Sequence, residues 1–509
     1  MADLPTDFLQ PPQENEDHEP IYRESSAYNP LSTFRLPPGG VRHYKQQYAD
    51  MYFLRLARLK PVVAEIAKAA WDGYNLAGER AQRVDRVLDV RQGQLSWVVG
   101  TVYMDLPLKP DILKDISQEN WTAGLISVPT YRSSTTPVET KLEDESGRLN
   151  LTGALLQASF LVTGVVVAVL GTENANGDFE VVDVKVPGLP QQPIRWERGP
   201  VPKKGQQSGH SKKIAFISGL DITGTSGDTL KLSLLTDFIL GYNGGTKDDP
   251  TSSSRISRLV IAGNSLGPAP SEDETIESRV RPKAKKYGYD ASAYNPSLIT
   301  LLDTFLAVIL QSIPVTLMPG ETDPANLTLP QQQIHRAMFP RSKIFSASAP
   351  LGEQASSGWF DSVTNPWEGD IEGWRFWGCS GQNVEDVLRY VDLEGEASEE
   401  EDQEQLDDAR LGLMDSMLRW RCGVPTAPDT LWCYPFQDKD PFVLQACPHV
   451  FFAGNQPEFK TALVEGNEDD PDTTVRLLAI PRFSTTGQVV LLDTETLEVE
   501  LLEFGMDGK

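Results

Sequence analysis

Phe216–Ile217–Ser218–Gly219–Leu220–Asp221 is an apolar run that ends in a glycine and then reaches a carboxylate. The same design returns at Val260–Ile261–Ala262–Gly263–Asn264, at Leu317–Met318–Pro319–Gly320–Glu321–Thr322–Asp323 and at Phe451–Phe452–Ala453–Gly454–Asn455–Gln456–Pro457. A short continuous apolar run closed by a turn signal reads as a strand buried on both faces. Between these runs the period changes. Leu230, Leu234, Leu235, Phe238 and Ile239 recur at helical spacing within Asp228–Tyr242, and a further helix is predicted at Leu298–Leu310. Leu259–Ala262 and Val315–Met318 read as strands. This alternation predicts a layered α/β domain. Val475–Ile480, Val489–Leu492 and Leu497–Leu502 also read as strands and are expected to complete its second sheet layer.

A strand that ends in a glycine turn is how a metallophosphoesterase presents ligands at the carboxyl ends of its strands. Such an enzyme needs Asp and His at the first turn, then Asp, then Asn and His, then further His. This chain offers Gly219, Asp221, Asn264, Glu321, Thr322, Asp323, Asn455 and Pro457. Two adjacent divalent ions repel, and bridging carboxylates with neutral imidazoles offset that repulsion. Asn264 supplies only a neutral amide, and Gly219 supplies no side chain. The chain has five histidines, His18, His43, His210, His335 and His449, too few for a binuclear site in these turns. His210 follows a glycine, yet no apolar strand precedes it. The expectation is a kept scaffold with no catalytic residue and no metal. The enzymic alternative is a phosphodiesterase or exonuclease using Asp221, Glu321 and Asp323.

The length of 509 residues favours two or more domains. A net charge of −26 argues against a surface that grips DNA directly, because such surfaces are basic. Any role on nucleic acid then runs through a partner; the plain alternative is that acidity serves solubility. No apolar run approaches the roughly 20 residues that span a bilayer. Met1–Pro20 lacks a basic n-region and an apolar h-region, so no secretory signal is expected and a cytoplasmic or nuclear location is. Cys379, Cys422, Cys433 and Cys447 show no zinc spacing and are expected to be buried thiols.

Residues 1–42 are rich in Pro, Glu, Asp and Ser and predict a disordered N-terminal arm. Residues 43–78 predict N-terminal helices. Tyr48, Met51, Tyr52, Leu56 and Leu59 share one face, which leaves Arg55 and Arg58 toward solvent, and Pro61 opens a second helix. From 79 to 200 the period is β-like, with runs at Leu95–Tyr103, Arg148–Thr152, Leu161–Leu170 and Phe179–Val186, and a hairpin signal at Asn176–Gly177. A small Greek-key barrel, an OB-fold, is predicted. It reads as a protein-binding or structural barrel, with single-strand nucleic-acid binding as the alternative. Gly199–Lys213 is a linker, and residues 201–509 form the α/β domain. Within it, 392–408 is an acidic insertion: a solvated, disordered segment or a regulatory tract. Arg279, Arg281, Lys283, Lys285 and Lys286 form a basic cluster that reads as a nuclear import signal, a DNA contact or a solvated loop.

Several segments together resemble a known family. They are Pro319-Gly-Glu-Thr-Asp-Pro-Ala-Asn326, Leu329-Pro-Gln-Gln-Gln-Ile-His-Arg336, Gly378-Cys-Ser-Gly-Gln-Asn-Val384, Thr426-Ala-Pro-Asp-Thr430, Cys433-Tyr-Pro-Phe436 and Pro448-His-Val-Phe-Phe-Ala-Gly-Asn455. Leu142-Glu-Asp-Glu145 and Leu161-Val-Thr-Gly164 carry the match into the barrel. From about Tyr44 to its end the chain resembles the small (second, B-type) subunits of eukaryotic DNA polymerase delta. The resemblance implies an OB-fold barrel packed on an inactive calcineurin-like phosphoesterase sandwich, an α+β architecture. It also implies a non-catalytic scaffold in the nucleus, without cofactor, acting in DNA replication and repair. Its partners would be the catalytic subunit, through that subunit's C-terminal domain, and a third subunit that reaches the sliding clamp and DNA. No partner-contact residue is assigned.

Overall fold

Ile214, Phe216, Val260 and Met318 project from one sheet into the same apolar layer as Phe376, Phe452, Leu478 and Ile480 of another. In this computed structural model the described residues are 23–39, 42, 49–76, 78–110, 128–133, 138–158, 160–195, 211–223, 226–242, 252–267, 296–346, 359–391, 399–466 and 472–505. The first sheet runs Phe360–Ser362, Val315–Met318, Ile256–Ala262, Lys213–Ile217, Gln488–Asp493, Val499–Glu503. Its first four strands are parallel and the last two antiparallel. The second runs Tyr28–Pro30, Trp367–Ile371, Trp374–Cys379, Val450–Gln456, Thr474–Pro481, Lys460–Glu465.

Alternation explains the layers, because successive side chains point to opposite faces. Ile214 and Phe216 face the second sheet, whereas Ala215 and Ile217 face helices Ser226–Leu240 and Pro296–Ile309. Both faces are covered, so these strands are apolar throughout, as the sequence indicated. The C-terminal strands differ from expectation. Only Thr474–Pro481 enters the second sheet; Gln488–Asp493 pairs with Lys213–Ile217 and extends the first. Residues 482–487 carry the chain across, with Ser218 bridging Arg482.

Five strands close a barrel in the order Leu95–Asp105, Glu139–Glu143, Arg148–Thr152, Asp178–Lys185, Val166–Glu173, the last pairing back to the first. The Asn176–Gly177 hairpin is present: Gly177 takes φ 86° and Asn174 Oδ1 accepts from the amides of Asn176 and Asp178. The run Leu161–Leu170 is not one strand; the ladder begins at Val166. Gly164 breaks it at φ 92°, where an added Cβ would lie 2.0 Å from the Pro425 carbonyl oxygen. The barrel interior (Val98, Val102, Val167, Phe179) shares one apolar cluster with Trp377, Val384, Leu413 and Phe451 of the sandwich.

Two helices were expected before the barrel, but among the described residues one is found, Ala49–Trp71, with Pro61 inside it. An interior proline costs about 3 kcal/mol. Val63, Ala67 and Trp71 beyond the proline are buried against Trp97, Val99, Val166 and Ala168, and that burial offsets the loss. Arg55 also departs from expectation: its side chain is 1% exposed rather than solvated.

The arm is corrected as well. Tyr28–Pro30 forms an edge strand antiparallel to Trp367–Ile371. Tyr28 donates to Asp361 at 2.6 Å and lies under the Arg258 guanidinium, while Phe34 is buried against Trp377 and Phe442. Composition averaged over 42 residues hid these few anchors. Residues 1–22, the basic cluster 279–286, linker residues 196–210 and 392–398 lie outside the described residues. The second half of the acidic insertion falls within helix Glu399–Arg419.

Candidate functional site

The four glycine turns meet where the strands of both sheets end. Gly219, Asp221, Gly263, Asn264 and Asn455 all have left-handed backbone, φ 57°, 44°, 87°, 52° and 58°. Asn and Asp tolerate this region better than other side-chain-bearing residues. One turn differs from expectation: the strand does not stop at Gly454 but runs to Gln456, with a register slip after Ala453 that places Asn455. The glycines serve close approach. A Cβ on Gly263 would lie 2.4 Å from the Ser380 Cβ, one on Gly454 2.2 Å from the Ala262 carbonyl, and one on Gly320 2.1 Å from Asn264 Oδ1.

Hydrogen bonds stitch the two sheets across this junction. Asn455 Nδ2 donates to the Ser380 carbonyl at 2.8 Å, within the second sheet, and its backbone N–H crosses to Ser218 Oγ of the first at 2.8 Å. Ser218 in turn donates toward the Pro481 carbonyl at 2.9 Å. Asn365 accepts from the Ser380 amide at 3.0 Å, and Gln331 Nε2 donates to the Gly320 carbonyl at 3.1 Å. Ser218, Ser380, Asn365 and Gln331 were not singled out from the sequence. Ser380 and Gln331 stand inside segments that carried the family resemblance, which was the available signal.

The carboxylates are placed apart in role. Asp323 is fully buried and accepts from the amides of Gly320 (2.8 Å), Leu266 (3.0 Å) and Ser265 (3.2 Å). Burial pushes its pKa up to about 6, against the pull of those three amides, and the nearby Asp221 charge adds to the rise. Asp221 accepts from Ser484 Oγ at 2.7 Å. Thr322 Oγ1 donates to the Leu266 carbonyl at 2.6 Å, whereas Glu321 and Pro457 are exposed. So Asp221, Asn264, Thr322, Asp323 and Asn455 converge, and Glu321 does not point inward with them.

This donor set does not fit a pair of adjacent divalent ions. Both Asp323 oxygens already receive backbone N–H groups, and no imidazole of a described residue joins them: His335 accepts from the Ala337 amide, and His449 accepts from Arg375 N at 3.0 Å. A side chain at Gly219 would start 2.8 Å from Asn455 Oδ1 and 3.0 Å from Arg482, so no ligand can be presented there. Asn455 Oδ1 is itself buried without a hydrogen-bond partner among the described residues.

A second constellation joins the barrel to the sandwich. Arg55 Nε donates to Asp440 Oδ2 at 2.7 Å; the other guanidinium nitrogens donate to the carbonyls of Gly164 (3.2 Å), Pro425 (2.5 Å) and Ala427 (2.9 Å). Burial opposes the charge, but Asp440, Cys422 and Tyr52 together more than offset it, and the Arg55 pKa rises. Nearby, Asp386 accepts from Tyr131 (2.6 Å), Thr426 (2.5 Å) and Thr430 (2.5 Å). On the barrel, Tyr103 is flanked by Lys109 and Arg148, and those cations pair with Asp429 and Glu143. The four cysteines are buried; Cys433 Sγ lies 3.4 Å from Met51 Sδ.

Comparison with known proteins gives two family matches. Residues 214–461 match the B-subunit family of DNA polymerases alpha and epsilon, and residues 47–184 match the OB-fold domain family of the DNA polymerase delta subunit. The chain is 34% identical to the DNA polymerase delta small subunit of Saccharomyces cerevisiae, over 94% of this chain and 93% of that one. It is 34% identical to the small subunit of Arabidopsis thaliana, over 96% and 98% of the two chains. DNA polymerase delta subunit 2 of Drosophila melanogaster is 31% identical over 96% and 99%.

Proposed function

The chain belongs to the family of DNA polymerase delta small subunits, and we propose that it works there as a non-catalytic scaffold in the nucleus. It bridges the C-terminal domain of the catalytic subunit to a third subunit, and through that subunit to the sliding clamp and DNA. The two-sheet domain is read as a calcineurin-like phosphoesterase scaffold whose metal and catalytic functions are lost.

One observation carries this reading: the junction where ligands would be presented is occupied by the Asn455, Ser380 and Ser218 stitches. Hydrogen bonds that tie two sheets together rigidify a body, and a rigid body loses little ordering entropy when partners dock. The core shared by barrel and sandwich supports the same conclusion. Direct single-strand binding by the barrel is disfavoured, because Lys109 and Arg148 are already engaged by carboxylates.

The test is co-purification. The chain is expected to capture the C-terminal domain of the catalytic subunit where an unrelated acidic protein does not. Equal capture by both would end the scaffold reading. Manganese-dependent nuclease activity that survives purification and disappears in Asp323→Ala would replace it with the enzymic alternative.

A further inference from the structure

Between Asp323 and Glu353 the chain carries no acidic residue, although 72 of its 509 residues are Asp or Glu. Chain-average composition would place several acids in a stretch of that length. The described part runs to residue 346, and its last turn, Ser342–Phe345, packs against helix Pro296–Ile309 and strand Phe360–Ser362. It holds the exposed cations Arg336, Arg341 and Lys343. Ile344 follows at 75% exposure. Ser346 bridges Phe360, which brings the half-exposed Trp359 alongside.

Among the described residues, the neighbouring acids Asp303 and Asp361 are already engaged. Asp303 is buried and accepts from the amides of Arg341 and Ser342, both at 2.9 Å, and from Ser342 Oγ at 2.7 Å. Asp361 accepts from Tyr28. Burial raises the Asp361 pKa, and the Tyr28 hydroxyl, Arg258 and, last, the exposed Arg35 only partly pull it back. Arg336 and Lys343 have no ion-pair partner among the described residues. The Asp303 hydrogen bonds pin the loop backbone, so the cations and the two apolar side chains are presented with little ordering cost.

We propose that this loop surface, centred on Arg336, Lys343, Ile344 and Trp359, docks an acidic segment of another protein that also carries apolar side chains. Charge selects the acid: a patch whose Arg336 and Lys343 meet no carboxylate among the described residues stands on a chain of net charge −26. Apolar exposure selects protein over duplex. Arg, Trp and an aliphatic side chain together are the composition of a protein interface core. Duplex binding instead needs many phosphate contacts, and the remaining charge of the chain opposes it.

For where the partner is found, the proposal rests on the accessory-subunit reading. The experiment begins with the assembled polymerase, its integrity checked by co-purification, and with benzoylphenylalanine substituted for Ile344. Irradiation is expected to cross-link an Asp/Glu-rich segment of another subunit. Arg336→Glu combined with Lys343→Glu is expected to lower that yield at least about tenfold, as loss of close charge pairs does. These exposed substitutions should leave the thermal midpoint unchanged. A cross-link to DNA or to a segment without acids, or none from an intact assembly, overturns the proposal and leaves the scaffold reading standing. If no assembly forms, the scaffold reading fails separately. The free chain then decides, titrated with fluorescent peptides alternating Glu with Leu or Glu with Ser. Tighter binding of the Leu peptide, lost on charge reversal, supports the surface; no binding, or binding indifferent to the reversal, removes it.

Discussion

Replacing Arg55 with Met tests whether the barrel and the sandwich are one mechanical unit. Met keeps helix propensity and apolar bulk in helix Ala49–Trp71. It leaves the Asp440 carboxylate, 2% exposed, without its cation, and strips the donors from the carbonyls of Gly164, Pro425 and Ala427. Breaking a buried ion pair by removing one partner costs about 3–5 kcal/mol. Orphaned carbonyls add roughly 1–3 kcal/mol each at most, and these losses overlap because one guanidinium serves them all. A total near 5 kcal/mol is expected. With about 2.1 cal/mol/K of unfolding entropy per residue, a cooperative unit of roughly 400 residues loses about 6 °C in midpoint. Calorimetry and urea unfolding followed by tryptophan fluorescence read the change, and a split into two transitions would show the barrel uncoupling. The double variant Arg55→Met with Asp440→Leu removes both charges and is expected to recover most of the loss. A single variant within about 1 kcal/mol of wild type, or a double variant no better than the single, would refute the reasoning.

Asp323 sets a pH dependence. Its folded pKa, about 6, stands above the roughly 3.9 of an unfolded Asp, so the folded state binds the proton more tightly. Its contribution to stability is full below about pH 4 and is lost as pH rises through 6, a change on the order of 2–3 kcal/mol. The stability gap between wild type and Asp323→Asn, measured by urea unfolding, should narrow by that amount across the window; a constant gap would contradict it. Two glycines should behave oppositely in thermal melts. Gly454→Ala drives a Cβ to 2.2 Å from the Ala262 carbonyl and is expected to cost about 3 kcal/mol. Gly412→Ala, open on the surface of helix Glu399–Arg419, should add about 0.5–1 kcal/mol; equal effects would undo the packing account. Chelator should leave the melting midpoint where it is, and excess manganese should not raise it; a rise of several degrees would reveal bound ions.

Much of the scaffold was legible because buried strands advertise themselves. Leu259–Ala262 and Val315–Met318 are apolar at every position except Thr316, and covered parallel strands require that. The barrel was legible at the Asn176–Gly177 hairpin, where turn chemistry is local. The candidate site was legible in part: Asp221, Asn264, Asp323 and Asn455 do converge. The stitching by Ser218, Ser380, Asn365 and Gln331 was not, because a small polar residue looks alike on a surface and in a buried network.

The sequence by itself determined which strands are buried, the shortage of imidazoles and the acidic excess, since these depend on residue type and on neighbours a few positions away. Tertiary structure alone decided that Arg55 is buried, that Tyr28–Pro30 of the arm forms an edge strand, and that the last two strands join the first sheet. Helical periodicity placed Arg55 off the apolar face, yet Asp440, 385 positions later, supplies the charge that lets it enter the interior. Whether a cation can leave water depends on partners brought together only by the completed fold.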